Sequence, residues 1–276
     1  MSAKNPSLGD RFWDFASYSF IFFLIASIVG PYSIVVFSSF KSRQEIFGSL
    51  NLIPTAPTLE PWMAAFDALG GPLLNSLMIA TGTAALSLLI TIPGAYVFGR
   101  KEFPGKEYAF YAIISALLFP HLILVVPIGA WWLEYGLYNT IPGLWIAYQA
   151  FVTPMAIWVL RDFFEGLPDN IEEAARVYGC SQFEAFLRVV LPLSAPAIAA
   201  VGFLSFLSGW NDFLFANLLT NNTGPQTATV ALFNTVNSGE QILWSRMMAA
   251  VIIVGVPPLV LYLISRRYLG NAFSVS

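Results

Sequence analysis

The 276-residue chain contains one cysteine, Cys180, and one histidine, His121. A lone cysteine permits no intrachain disulfide and no cysteine-rich metal site, so Cys180 reads as a small buried or interfacial hydrophobe. A Ser-His-Asp arrangement could use no base other than His121. Beside Pro120, that histidine reads as bonded to a carbonyl of a kinked helix, with a pore-lining role as the alternative. Charge is scarce as well: Asp, Glu, Lys and Arg make up 11% of the chain, against about 25% in a typical soluble domain. A net charge of −3 offers no basic excess for nucleic acid. No G-x-x-x-x-G-K-[ST] phosphate loop occurs, and the pairs Gly70-Gly71 and Pro104-Gly105 read as turns between apolar segments. The chain is therefore expected to be no enzyme, to hold no cofactor and no metal, and to take any ATP-derived energy from another polypeptide. Ten-residue alternation of the kind a β-barrel needs does not recur, and low-complexity tracts and short repeats are lacking.

What is plentiful is apolar surface, at 57% of residues. A membrane-spanning helix needs roughly 20 apolar residues. Segments 17–38, 73–98, 109–133, 141–160, 196–219 and 245–265 meet that length. The expected fold is an all-α polytopic membrane protein with six transmembrane helices, one domain over residues 1–276, and a short cytoplasmic tail at 266–276. The first apolar segment lacks a clean cleavage site behind it and reads as a retained span. Pro93-Gly94, Pro120, Pro127 and Pro257-Pro258 fall inside these segments, where neighbouring helices can satisfy freed carbonyls and kinks are expected. With the N-terminus inside, ten of the thirteen cations (Lys4, Arg11, Arg100, Lys101, Lys106, Arg161, Arg176, Arg188, Arg266 and Arg267) lie on the cytoplasmic side, and only Lys41, Arg43 and Arg246 lie outside. The positive-inside rule then puts both termini and the loop 161–195 in the cytoplasm.

That loop is polar and carries helix punctuation. Asp169 can cap a helix with Glu172 three residues on, and Ile171, Ala174, Ala175 and Tyr178 fall on one apolar face. Gly179 suits a left-handed helix end, and Ser181 opens a second capping box with Glu184. Phe183, Phe186, Leu187 and Val190 share a face of the second helix, which Pro192 is expected to stop. Amphipathicity alone would fit a hairpin lying on the membrane surface.

The spacing is more specific. Glu173, Ala174, Ala175, Gly179, Val189, Leu191 and Pro192 resemble the signature loop of the permease subunits of binding-protein-dependent ABC importers. Asn75-Ser76, Tyr138-Asn139-Thr140, Phe163-Phe164 with Leu167-Pro168, and Trp210-Asn211-Asp212 extend the resemblance over most of the chain. Together they look like the carbohydrate-type permeases, similar to the second permease of maltose or glycerol-phosphate importers. One departure is Tyr178-Gly179, where that subfamily usually has Asp-Gly. The resemblance implies a cytoplasmic helical-hairpin coupling loop whose Glu173 pairs with a cation of an ATP-binding subunit. Ala174 and Ala175 would permit close approach, Gly179 the turn, and Leu191-Pro192 would close the motif. It also implies a prokaryotic inner membrane location in a lipid bilayer, a homologous permease, two ATP-binding subunits that hold ATP and Mg, and an extracytoplasmic solute-binding protein. The cargo would be a sugar, polyol or glycoside. The alternatives are a glycerol-phosphate-like solute, or a non-transporting scaffold with the same ATPase-docking hairpin.

Asp212 is the most unusual residue of an apolar segment, because an ionisable group at membrane depth is costly without a partner. Two roles are open: a hydrogen bond to an adjacent helix, or, with Trp210 and Asn211, the border of a path for a polyhydroxylated solute. Asn75 admits the same two roles.

Overall fold

A computed structural model describes residues 8–48, 51–168, 170–221, 223–237 and 244–272. Every regular element among them is helical. In chain order these are α1 (Leu8–Ser39), α2 (Arg43–Gly48), α3 (Glu60–Arg100), α4 (Lys106–Ser115), α5 (His121–Glu134), α6 (Ile141–Glu165) and α7 (Asn170–Val177). There follow α8 (Gln182–Ala185), α9 (Leu191–Leu193), α10 (Ala195–Asn211), α11 (Leu214–Leu219), α12 (Ala228–Asn237) and α13 (Trp244–Ala272). The residues group into two compact units, Met1–Ala68 with Gly239–Ile253, and Leu69–Ser238 with Val254–Ser276.

In the first unit α1 is apolar over Phe12–Ser39 and none of its most apolar stretch is buried. The segment after it is pinned by polar contacts. The Lys41 ammonium donates to the Asn51 carbonyl, the Glu45 carboxylate accepts from the Thr55 amide and hydroxyl, and Phe40 stacks on Trp62 at 5.4 Å.

The second unit is organised around α6, whose apolar window is half buried. Thr140 starts this helix by accepting from the Gly143 amide at 3.1 Å, and Pro142 occupies its first turn, where a missing N–H costs nothing. Asn139 takes a positive φ of 62° just before, its amide bonded to the Leu219 carbonyl. Tyr148, Leu144 and Val152 of α6 pack with Ile79, Val125, Phe215 and Leu219. Further along, Leu160 and Phe164 pack with Tyr96, Val190 and Val201. Gly82 of α3 lets α6 come close: a Cβ there would lie 2.1 Å from the Trp145 ring, which donates to the Met78 carbonyl.

Among the described residues four helices are long and apolar enough to cross a bilayer, and up to six spans result if each of two bent pairs counts as one. The first bend falls at Phe119-Pro120, inside segment 109–133 where a kink is expected, and the second falls at Ser194, before segment 196–219. The first pair, Lys106–Leu118 with His121–Glu134, bends by 98°. The cause is local: Phe119 (φ −77°, ψ 130°) and Pro120 (φ −61°, ψ 117°) are both extended, the conformation a residue before proline prefers. The second pair, Gln182–Leu193 with Ala195–Asn211, bends by 73° at Ser194, just before Pro196. Asp212 is likewise extended, at φ −65° and ψ 130°, so it separates α10 from α11 instead of sitting within one continuous helix. Gly70-Gly71 is not a turn: α3 runs through both glycines and Pro72. The strongly apolar, helix-favouring residues on either side outweigh the intrinsic cost of about 1 kcal/mol per glycine.

Candidate functional site

The loop 161–195 folds as a compact hairpin. Its first limb, α7, ends at Gly179 in the left-handed region, φ 91°. There the Cys180 amide bonds the Ala175 carbonyl at 3.1 Å and the Gly179 amide bonds the Arg176 carbonyl at 3.0 Å. This paired closure is the Schellman motif, in which a residue without a Cβ carries the positive φ. Ser181 then opens the second limb with a complete capping box: its hydroxyl accepts from the Glu184 amide at 3.2 Å, and the Glu184 carboxylate accepts from the Ser181 amide at 2.9 Å. The bond from the Ser181 amide, then the Ser181 hydroxyl beside the carboxylate and the Arg188 guanidinium, hold the Glu184 carboxyl below the usual carboxylate range.

Pro192 does not stop this limb. Instead α8 passes into a π turn over Phe186–Val190, where the Leu191 amide reaches back five residues to Phe186, and one more helical turn carries Leu191 and Pro192 to Ser194. A widened turn accommodates a proline ring that an α-helical turn would drive into the carbonyl four residues earlier. The break comes at Ser194, whose hydroxyl and amide both bond the Val190 carbonyl.

The apolar face of α7 is split. Ala175 is buried and Ile171 packs against the core, but Ala174 is exposed and Tyr178 is 89% exposed. Exposed with them are Glu173, Val177 and Phe183. Asp169, the expected cap of α7, lies outside the described residues.

Glu172 turns inward, a feature the sequence motif does not reveal. Its Oε2 accepts from the Tyr96 hydroxyl at 2.8 Å and from Lys101 at 3.3 Å, and its Oε1 accepts from Arg100 Nε at 3.0 Å. Burial pushes the Glu172 carboxyl up, but the bonds from Tyr96, Arg100 and Lys101 outweigh it and hold the group below the usual range. Lys101 is the mirror case: burial pushes the ammonium down, while its bonds with Tyr96 and Glu172 leave it above its ordinary value. Around these groups lies a polar cleft of about 580 Å³, lined by Arg100, Lys101, Lys106, Glu172, Glu173 and Arg176 among others. The only available signals were two adjacent glutamates in the motif and two adjacent cations at the end of an apolar segment.

Of the other four candidate residues, Trp210, Asn211 and Asp212 lie at the α10–α11 break and Asn75 lies on α3. Trp210 is buried, stacked on Phe206 at 5.6 Å, and its carbonyl accepts from Thr229. Asn211 is exposed. Asp212 accepts from the Ala216 amide at 3.1 Å and so caps α11, while the buried Tyr148 hydroxyl faces its carboxylate without closing a well-formed hydrogen bond. Asn75 donates to the Gln226 carbonyl at 3.1 Å, and neighbouring Ser76 accepts from the Ala228 amide, so this pair tethers the start of α12 to α3. Among the described residues no three His, Cys, Asp or Glu side chains converge as a metal site.

Residues 91–275 match the family described as binding-protein-dependent transport system inner membrane component. The chain is 31% identical over 275 residues to the diacetylchitobiose uptake system permease protein NgcG of Streptomyces coelicolor, covering 99% of this chain and 91% of that one. It is 33% identical over 220 residues to the trehalose transport system permease protein SugB of Mycobacterium tuberculosis, covering 79% and 80%. It is also 30% identical to the trehalose/maltose transport system permease protein MalG of Thermococcus litoralis, covering 88% and 89%. Its fold is similar to a chain of a bacterial ABC transporter involved in the import of alginate, with a TM-score of 0.84 over 96% of this chain and 99% of the other at 18% identity. A chain of the MetNI methionine ABC transporter aligns with a TM-score of 0.59 at 13% identity, over 77% and 98%. The chain belongs to the binding-protein-dependent transport system inner membrane components, the permease subunits of ABC importers.

Proposed function

We propose that this chain forms half of the transmembrane pathway of an ATP-driven importer for a sugar, polyol or glycoside, with the hairpin at 161–195 as its cytoplasmic docking point for an ATP-binding subunit. The observation that carries this reading is the two-sided hairpin. Ala175, Ile171 and Val190 root it in the core, while Glu173, Ala174, Val177, Tyr178 and Phe183 are left facing outward on one compact, doubly capped turn. Burying an exposed aromatic of this kind against a partner yields about 1.5–3 kcal/mol each, and Glu173 adds a charge for a cation of that partner. Movement of the ATP-binding subunits then displaces the spans joined to the hairpin and switches the pathway between outward and inward access.

In this reading six spans form one permease domain with both termini in the cytoplasm of a prokaryotic cell; Lys106–Leu118 with His121–Glu134 serves as one span and α10 with α11 as another, while Gln182–Leu193 stays with the cytoplasmic hairpin. A homologous permease completes the pathway, two ATP-binding subunits hold ATP and Mg, and an extracytoplasmic binding protein delivers solute. The cargo class rests on relatives whose names specify diacetylchitobiose, trehalose, and trehalose or maltose. Asn211 and Asp212 offer polar groups to the solute at the α10–α11 break, with Trp210 and Asn75 supporting them through packing and the tether to residues 226–228. The complex, reconstituted in vesicles with its binding protein, tests this with labelled diacetylchitobiose, trehalose and maltose as probes. Uptake of at least one that requires ATP on the hairpin side is the expected result. Uptake indifferent to ATP would overturn the reading.

A further inference from the structure

The hairpin is joined covalently to α6 before it and α10 after it, yet its closest polar attachment is to neither. Arg100, the last residue of α3, gives Nε to Glu172 of α7 at 3.0 Å, one Nη to the Leu167 carbonyl at 2.9 Å and the other to the Pro168 carbonyl at 3.2 Å. One planar guanidinium therefore binds both the α6–α7 link and the first turn of α7. A lysine, with its single point of charge, cannot reproduce that fork. Tyr96, one turn earlier in α3, supplies the second oxygen of Glu172 with a donor and packs its ring on Phe164 of α6 and on Phe186 of the second limb. The same end of α3 is seated directly on α6: a Cβ at Gly99 would lie 2.9 Å from Phe164 Cβ and 3.0 Å from the Arg161 carbonyl.

The charges are withdrawn from water, the side chains being 7% exposed for Arg100 and 12% for Glu172. Desolvation offsets most of the attraction in such a pair, so stability alone is a weak reason to build one. A fully bonded ion pair does select one orientation of the two elements it joins, because any other leaves a buried charge without a partner. We propose that Arg100 and Glu172 form a clamp that makes the hairpin and the end of α3 one rigid body, so that force arriving at the hairpin is delivered to α3 as well as to α6. This role rests on the coupling function proposed for the hairpin, and it makes both residues positioning residues that need not touch the partner.

The test uses the assembled complex with spin labels on Glu102→Cys and Arg188→Cys in a Cys180→Ser background, one site on the α3 side and one on the second limb. Distances are measured without nucleotide and with ATP plus vanadate. The clamp requires the same single narrow distance in both states for the otherwise native chain, and loss of that single distance in Arg100→Lys and Glu172→Gln. Should Arg100→Lys fail to assemble, Tyr96→Phe, which removes one donor and no charge, must still broaden the distribution. A distance that shifts between nucleotide states in the native background, or stays single in every assembled variant, overturns the clamp. Crosslinking from Tyr178 to the ATP-binding subunit in the same complexes is scored separately. Its absence would remove the docking function itself, whereas its presence with an unchanged distance would remove only the clamp.

Discussion

Replacing Gly179 isolates the backbone cost of the hairpin turn. No atom lies within 4 Å of a Cβ built at this position, so Gly179→Ala meets no clash and the whole penalty comes from φ 91°. Placing an L-residue in the left-handed region costs about 1–2 kcal/mol. Asparagine tolerates that region better, because its short polar side chain bonds locally, so Gly179→Asn should cost less than Gly179→Ala. The turn opens locally without unfolding the protein, since Ala175 and Val190 anchor both limbs in the core. A penalty of 1–2 kcal/mol multiplies the open population by roughly 5–30-fold. Hydrogen exchange of the assembled complex reads this directly at the amides of residues 179 and 180, which bond the Arg176 and Ala175 carbonyls. Exchange there should accelerate by that factor in Gly179→Ala and by less in Gly179→Asn, with amides of α6 unchanged. Equal exchange in all three proteins, or faster exchange in the asparagine variant than in the alanine one, would refute the left-handed turn as the source of the effect.

Other consequences are as concrete. Ser181→Ala removes one side of the capping box and should weaken the second limb by about 0.5–2 kcal/mol, read as faster exchange at Glu184. Gly82→Ala drives a methyl into the Trp145 ring and should lower the melting temperature through about 1–3 kcal/mol of overpacking, whereas Gly70→Ala, where space is open, should not. The lowered Glu172 and Glu184 values carry a sign: stabilisation from a carboxyl held below its ordinary value is complete above about pH 4.3 and disappears as pH falls through the folded value. Hairpin exchange protection corrected for intrinsic rates should thus be flat from pH 7 to 5 and drop only in more acid solution, and a loss between pH 7 and 6 would contradict it. Asp212→Asn keeps an oxygen for the Ala216 amide and should preserve assembly. Asp212→Leu, which deletes the cap, should lower yield and melting temperature.

What could be read from residues alone was local. Gly179 and the Ser181–Glu184 box announce themselves because turns and caps depend on neighbours a few positions away. The Tyr96 and Arg100 partners of Glu172 lie 76 and 72 residues distant, and no motif couples them. Apolar content located the hydrophobic segments and Pro120 marked a kink, but the 98° size of that bend and the 73° bend at Ser194 were not legible, since hydropathy sums over a window in which an extended residue counts like any other. The α7 face misled in part for a related reason. Periodicity gathers Ala174, Ala175 and Tyr178 on one side, while the fold, in which α7 packs on the second limb of the hairpin, buries Ala175 and leaves Ala174 and Tyr178 outside. Asp212 stands at a helix end, where it accepts from the Ala216 amide, a position that a hydropathy window smooths over.

The account turns on what Tyr178 touches when the chain works, because this side chain, just past the end of α7, is 89% exposed. A photoreactive aromatic residue in place of Tyr178, activated in membranes that contain the whole transporter, should crosslink to the ATP-binding subunit, and the yield should change when ATP and solute-loaded binding protein are added. Crosslinking to lipid or to the extracytoplasmic binding protein, with none to the ATP-binding subunit, would contradict it.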